Sequence, residues 1–282
     1  MIPSALLQQA VDRALGEDLH AGDVTSEALL GEDVQCVARA LAKQPLVACG
    51  SEVFARVFYT VDPTLRVEEF VADGQQVPPG TALYCVEGSA RSVLAGERTA
   101  LNFVQRLAGI ATLTRRFVER LPAETKARIV DTRKTTPGLR AFERYAVRSG
   151  GARNHRDSLG AGVLIKDNHI AAVGGLTAAI QRARGVAPHS HRIEVEVESL
   201  AAVDEALAAG ADIIMLDNFE PAELGLAIEK ISGRALVEVS GGVTLDRVES
   251  LARAGVDVIS VGALTHSAAA ADISLDLELL GS

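Results

Sequence analysis

Six apolar runs that end in polar residues, separated by Ala- and Leu-rich stretches of helical length, constrain the fold of this chain most. The runs are Arg128–Thr132, Gly162–Asp167, Arg192–Glu198, Asp212–Asp217, Ala235–Ser240 and Val256–Gly262. The clearest helical stretches between them are Leu200–Ala209, Glu223–Ile231 and Leu245–Ala254. Strands that alternate with helices imply parallel strands joined by right-handed crossovers, because a parallel connection must cross the sheet. An internal echo agrees: Ala208-Ala209-Gly210-Ala211-Asp212-Ile213-Ile214 is matched by Ala252-Arg253-Ala254-Gly255-Val256-Asp257-Val258-Ile259. Each places a helix-ending glycine just before a buried strand, where φ > 0 is required. Six such strands with glycine-rich ends favour a closed α/β barrel over an open doubly wound sheet.

The first hundred residues follow another pattern. Asp33–Lys43 and Leu65–Val71 have strand character, Asp73-Gly74 and Pro78-Pro79-Gly80 are turn signals, and amphipathic helices are expected over Ser4–Leu15 and from Ser92 towards Arg120. This predicts a separate α+β domain. Near the end, Ile273, Leu275, Leu277 and Leu279 alternate with polar residues, a strand expected to return to the N-terminal sheet. The expected division is an N-terminal domain over 1–110, joined by a C-terminal strand over 271–282, and a barrel carrying the site over 111–270. With 282 residues and 48% apolar composition, the chain can bury both cores.

Composition narrows the function. A net charge of −9 opposes nonspecific nucleic-acid binding, and the absence of Trp leaves little for base stacking. Cys36, Cys49 and Cys85 are odd in number and lack C-x-x-C spacing, so reduced, mostly buried thiols are expected in place of a disulfide frame or a zinc site. No signal peptide or membrane-length apolar run is evident, so no membrane partner and a cytoplasmic location are expected.

Against that acidic background, the segment Arg128–Lys166 carries nine Arg or Lys and three acids, a local charge of +6. Period-two alternation sorts the polar residues at the strand ends. Glu194, Glu196 and Glu198 oppose Ile193, Val195 and Val197; Ile129, Asp131 and Arg133 share a side; so do Leu164 and Lys166, Met215 and Asp217, and Glu238 and Ser240. With the aliphatic set under the helices, the charged set points into the barrel. Buried charges there must pair with one another, as a salt-bridge layer, or with a ligand. Their concentration at the C-terminal strand ends, where barrels of this kind hold their sites, favours a small polyanion.

Glu196 and Asp217 end consecutive strands, and hard carboxylate oxygens so placed suit Mg²⁺; the plainer reading pairs them with Lys134 or Lys166. Ser240-Gly241-Gly242 and Val261-Gly262-Ala263 end the last two strands, where glycine lets backbone N–H groups approach a phosphate or simply makes a tight turn. His155 and His169 lack a third ligand at metal spacing; His155 is expected to donate to an anion or to be a satisfied loop residue. Arg140, Arg144 and Arg148, at i, i+4 and i+8, are expected to form one helix face.

Taken together, Asp131–Gly138 (DTRKTTPG), Gly150–Arg156 (GGARNHR), Lys166–His169 (KDNH), the Glu196 and Asp217 acids and Ser240-Gly241-Gly242 resemble the quinolinate phosphoribosyltransferase family. Gly22–Ser26, Glu97–Asn102 and Asp272–Leu277 extend the likeness over nearly the whole chain. The resemblance implies an N-terminal α+β domain followed by an incomplete, about seven-stranded α/β barrel, in a homodimer or a hexamer built as a trimer of dimers. It implies that quinolinate and phosphoribosyl pyrophosphate give nicotinate mononucleotide, pyrophosphate and CO₂ with Mg²⁺, in NAD biosynthesis. It assigns Arg133, Arg156 and Lys166, helped by Thr132 and His155, to the quinolinate carboxylates, and Arg98 to the neighbouring subunit's site. Lys134, Glu196 and Asp217 fall near phosphoribosyl pyrophosphate and its Mg²⁺, the two acids being the metal ligands, directly or through water. Ser240, Gly241, Gly242, Val261, Gly262 and Ala263 match the 5′-phosphate loops. Other readings are a same-fold paralogue found with molybdate transport genes, a noncatalytic pyridine dicarboxylate sensor, and a barrel aldolase with Lys166 as a Schiff-base lysine.

Overall fold

The computed structural model describes residues 1–280; the last two residues of the expected 271–282 strand lie outside the described residues. In chain order the first elements are α1 (Ser4–Asp18), α2 (Val24–Leu29), β1 (Gln35–Ala42), β2 (Leu46–Val47), α3 (Ser51–Val61), β3 (Arg66–Glu69), β4 (Gln76–Val77), β5 (Ala82–Ser89) and α4 (Ala90–Val118). There follow β6 (Arg128–Val130), α5 (Arg140–Ser149), β7 (Val163–Ile165), α6 (Asp167–Val173), α7 (Leu176–Val186), β8 (Ile193–Val197) and α8 (Leu200–Ala208). The last are β9 (Ile213–Asp217), α9 (Pro221–Ile231), β10 (Leu236–Ser240), α10 (Leu245–Ala254), β11 (Val258–Ser260), α11 (Ala263–His266) and β12 (Ile273–Leu280). They fall into two compact units: Met1–Arg115 with Thr135–Gly151 and Leu264–Ser282, and Arg116–Lys134 with Ala152–Ala263.

The first unit is built on an antiparallel sheet of order β12-β1-β5-β3. Alternation in β1 buries Cys36, Ala38, Ala40 and Ala42 on one face, and β12 pairs with β1 from Gln35↔Leu280 to Ala42↔Ile273. Helix α3 buries Val53, Phe54, Val57 and Phe58, a stripe at helical spacing. Phe54 meets Phe58 edge to face at 4.9 Å and Tyr84 at 4.8 Å, and each such buried side chain contributes about 1.5–3 kcal/mol. The Gly22–Ser26 motif starts α2: the Asp23 carboxylate accepts the Ser26 N–H at 3.0 Å, and the Ser26 side chain first, then this backbone bond, hold its pKa low. The three cysteines are free, with Cys36 and Cys49 buried, and burial pushes the Cys49 thiol up, so it stays protonated.

The second unit is a parallel six-stranded sheet of order β6-β11-β10-β9-β8-β7 with helices between the strands. The first and last strands in this order, β6 and β7, do not pair, so the closed barrel favoured by alternation gives way to an incomplete one. Among the described residues, a single parallel bridge, Val130↔Arg153, is all that forms of a seventh strand. The chain just beyond it is held by side chains in place of a ladder. The echo glycines Gly210 and Gly255 have φ of 81° and 98°, as the helix endings require. Under the helices lie Ile193, Val195 and Val197 of β8 together with Val203, Ala206, Leu224 and Ala227. Among the described residues, no helix is long and apolar enough to cross a membrane.

Candidate active site

Parallel register places the polar strand ends of the second unit side by side. Ser240 pairs with Asp217, and Glu196 with Met215, so the ends of β8, β9 and β10 rise together. Lys166 follows β7, caps α6, and donates from Nζ to Glu196 Oε2. His169 completes that cap by accepting the Lys166 backbone N–H at Nδ1, 3.0 Å away, a structural role for a histidine that had invited a metal reading. The Asp217 carboxyl is held above its ordinary range by burial first and then by the charge of Glu196, with Glu198 adding to it and Lys166 and Lys134 opposing. Carboxylates that repel one another beside two lysines are the donor set a hard divalent cation relieves. Asp217 also accepts from Asn218 Nδ2 at 2.8 Å, and Asn218 itself adopts a left-handed φ of 55°.

Glycine is required in the next loop. Gly241 has φ 82°, and a Cβ there would lie 2.7 Å from Asp217 Oδ1 and 2.9 Å from Asn218 Oδ1. Gly242 has φ 54°. Because β10 pairs with β11, this loop neighbours Val261-Gly262-Ala263, where the Val261 N–H donates to the Val130 carbonyl at 2.9 Å. The two loops expected to take a phosphate are therefore adjacent, beside the acids.

On the cationic side, Arg156 is held below its usual range by burial and then by the charge of Arg133. Arg156 Nη1 donates to the Gly162 carbonyl at 2.9 Å. Thr132 Oγ1 accepts the Lys134 backbone N–H at 3.1 Å, shaping the turn that carries Arg133 and Lys134 out of β6.

The interior row of β6 corrects one reading from alternation. Arg128 and Val130, rather than Ile129 and Asp131, line the barrel interior with Glu194, Ile213, Glu238 and Val258. Asp131 is fully buried on the other parity and accepts the His155 backbone N–H at 2.7 Å and Asn154 Nδ2 at 2.6 Å. It pins the GGARNHR segment where the seventh strand would have run. The one-residue shift follows from β6 being only three residues long, so that its register is set by the Val258↔Arg128 pairing with β11.

Sequence reasoning missed the buried cluster beneath these groups. His155 Nε2 lies 3.4 Å from Glu194 Oε2 and 3.3 Å from Glu238 Oε1, and Ser260 Oγ donates to the same Glu238 oxygen. His155, Glu194 and Glu238 bring three metal-type atoms within 4.8 Å of one another. His155 Nδ1, however, accepts the Arg156 backbone N–H at 2.8 Å, so the ring proton sits on Nε2 facing the acids, and no lone pair is offered to a metal there. Burial and then the Glu238 charge raise the Glu194 carboxyl against the pull of His155. Alternation had put Glu194 and Glu238 inside, but their meeting with His155 had no signal in spacing.

Arg98, exposed on α4, belongs to the first unit, where it lines a cavity of about 390 Å³ with Arg13, Phe103, Arg106 and Phe142. Arg140, Arg144 and Arg148 lie on α5 in the same unit, as the i, i+4, i+8 spacing required; Arg140 Nε donates to Thr135 Oγ1 at 2.9 Å, and Arg148 sits 5.7 Å over the Tyr145 ring.

Comparison with known proteins agrees with this geometry. Family models described as quinolinate phosphoribosyl transferase, N-terminal domain and C-terminal domain, match residues 23–108 and 110–276. Nicotinate-nucleotide pyrophosphorylase (carboxylating) of Mycobacterium leprae is 43% identical over 277 residues, 96% of each chain. The crystal structure of NadC from Streptococcus pyogenes superposes with a TM-score of 0.95 at 42% identity, covering 100% of this chain and 99% of that one. The nicotinate-nucleotide pyrophosphorylase of Francisella tularensis gives 0.92 at 36% identity, covering 99% and 98%. The chain belongs to the quinolinate phosphoribosyltransferase family.

Proposed function

We propose that this chain transfers the phosphoribosyl group of phosphoribosyl pyrophosphate to quinolinate, releasing pyrophosphate and CO₂ and forming nicotinate mononucleotide for NAD biosynthesis. The observation that carries this is the pairing of like charges. The charge of Arg133 bears on Arg156, and that of Glu196 on Asp217. Lys166 already meets Glu196, and a ligand of opposite charge relieves what repulsion is left in each pair. A planar dianion suits the guanidiniums, whose forks hold carboxylates in a fixed plane, with Lys166 as the third cation. Thr132 shapes the turn that presents Arg133, and His155 fixes the Arg156 backbone from behind.

In this reading Glu196 and Asp217 hold Mg²⁺, directly or through water, and the bound ion supplies charge neutralisation for the pyrophosphate. Lys134 supports the departing pyrophosphate, and the backbone of Ser240–Gly242 and Val261–Ala263 holds the 5′-phosphate. Holding the pyridine nitrogen in line with ribose C1 makes attack effectively intramolecular. That nitrogen has no proton to lose, so no general base is needed. The positive charge that builds on the ribosyl centre faces the Glu196 and Asp217 carboxylates. The pyridinium so formed withdraws electrons, the C2–carboxylate bond breaks, and its electron pair stays on the ring until C2 is protonated. The enzyme acts in the cytoplasm as a homodimer or a trimer of dimers, with the exposed Arg98 reaching the neighbouring subunit's site.

The direct test is release of labelled CO₂ from 2-carboxyl-labelled quinolinate, expected only with phosphoribosyl pyrophosphate and Mg²⁺ both present. Full activity in Arg133→Ala or Lys166→Ala refutes the residue assignment. For Arg98, mixing inactive Arg98→Ala with inactive Lys166→Ala subunits should restore part of the activity; no recovery in mixed oligomers refutes the crossing.

A further inference from the structure

Asp217 ends β9, and a regular strand would send the next side chain to the opposite face. Asn218 departs from that rule. Its φ of 55° lies in the left-handed region, which turns the chain at the strand end and brings the side-chain amide back beside the acid before it. Asn218 Nδ2 donates to Asp217 Oδ2 at 2.8 Å. Among the described residues, this is the one side-chain hydrogen bond that either residue makes. The amide caps no helix, since α9 starts at Pro221 and Glu220 is its N-cap.

Gly241 closes the other side of the pair. A Cβ there would lie 2.7 Å from Asp217 Oδ1 and 2.9 Å from Asn218 Oδ1, so carboxylate and amide lie together against bare backbone. Asp217 thus has one oxygen on the amide and the other against the Ser240–Gly242 loop.

Charge makes such a hold necessary. Glu196 and Glu198 both bear on Asp217, and Lys166, which offsets them in part, is bonded to Glu196. A carboxylate among like charges turns away from them unless a donor fixes it, and hydrogen bonds to an ionised acceptor are the strong ones. Gly, Asn and Asp are the residues that enter the left-handed region most readily. Gly carries no donor, and Asp would set another negative charge against Asp217. Of the three, Asn alone meets both the backbone and the electrostatic demand.

We propose that Asn218 is a positioning residue for phosphoribosyl transfer: its amide fixes the rotamer of Asp217, so that the carboxylate is already aimed when Mg²⁺ and phosphoribosyl pyrophosphate arrive. This rests on the role given to Asp217 above. A charge that need not reorient during the reaction stabilises the transition state at no further cost. Loss of the amide therefore slows turnover, while quinolinate, held by the cationic side chains, binds as before.

The test pairs steady-state kinetics with crystal structures of the full-length protein. Asn218→Gly keeps the left-handed backbone without strain and removes the amide. It should lower kcat about tenfold, as expected for one hydrogen bond to a charged group, and leave the KM for quinolinate within about twofold of wild type. The melting temperature should stay within about 2 °C, since Asn218 is exposed and Gly suits its φ. The crystal structure of this variant should show Asp217 in another rotamer, or in more than one. Asn218→Asp adds repulsion and should lose more than Asn218→Gly. Asn218→Ala, strained at this φ, should melt lower than Asn218→Gly yet lose kcat to the same extent. Wild-type kcat in Asn218→Gly, or an unmoved Asp217 in its crystal structure, overturns the proposal. So does a loss of kcat confined to Asn218→Ala, which would mark a purely backbone role. A wild type that does not turn over quinolinate refutes the proposed function instead, and the rotamer of Asp217 in Asn218→Gly still decides whether Asn218 holds it.

Discussion

Glu143→Ala offers the sharpest check on what holds the first unit together. The side chain is fully buried and accepts four hydrogen bonds: Arg106 Nε at 3.2 Å, Arg106 Nη2 at 2.8 Å, the Thr136 N–H at 3.1 Å and Thr136 Oγ1 at 2.7 Å. Arg106, with its side chain 26% exposed, also donates to the carbonyls of Ala268 and Thr265. Truncation leaves that guanidinium without its counter-charge and the Thr136 N–H without its acceptor. Removing one partner of a buried ion pair costs about 3–5 kcal/mol. An unfolding entropy of about 2.1 cal/mol/K per residue, over 282 residues, is about 0.6 kcal/mol/K. The melting temperature should therefore fall by about 5–8 °C. Glu143→Gln, which keeps the shape and one acceptor, should lose about half as much. Differential scanning calorimetry at one protein concentration reads both, because oligomer dissociation would otherwise shift the midpoint. The double variant Arg106→Met/Glu143→Leu should be more stable than Glu143→Ala alone, since no charge is left stranded. A loss below 2 °C in Glu143→Ala, or a double variant as unstable as both single losses summed, would refute the reasoning.

Other substitutions test other parts of the molecule. Gly241→Ala should lower turnover at least tenfold and stability by about 1–2 kcal/mol, because a left-handed φ and a contact with Asp217 oppose the methyl; near-normal kinetics would show that the loop is not fixed by Asp217. Gly109→Ala sets a Cβ 2.0 Å from the Ala269 carbonyl oxygen and should destabilise by about 1–3 kcal/mol without changing the KM of either substrate; thermal melts and steady-state kinetics read the two effects separately. Asp217 has a raised folded pKa, so its ionisation opposes folding: the stability of the protonated state is lost as pH rises through that pKa. Asp217→Asn, though inactive, should melt above wild type at neutral pH in EDTA. That gap should close as the pH falls into the ordinary aspartate range, and a gap that widens in acid would contradict the sign.

Much of the architecture was legible because local rules governed it. Ile193, Val195 and Val197 had to face the helices once Glu194 and Glu196 alternated with them, and Gly210 and Gly255 had to end helices before strands. Helix α10 spans the Leu245–Ala254 stretch read from its pattern. Alternation failed at β6, where three residues carry too little pattern to fix the face, and neighbour pairing with β11 set Arg128 and Val130 inward instead of Asp131. It also favoured a closed barrel, which β6 and β7 do not complete. Closure depends on whether β6 and β7 meet, and those strands are joined through 32 residues of loop and helix numbered 131–162.

By itself, the sequence determined the elements, their order, the parallel sheet and the chemical types at the strand ends, because each follows from residue period and from contacts within a few positions. Only the tertiary structure decided which of those charges meet. Arg106 finds Glu143 across 37 positions, and His155 finds Glu194 and Glu238 from three separate segments. Charge is written residue by residue, but the free energy of a buried charge depends on the distance to its partner, and that distance exists only once the strands have taken their places.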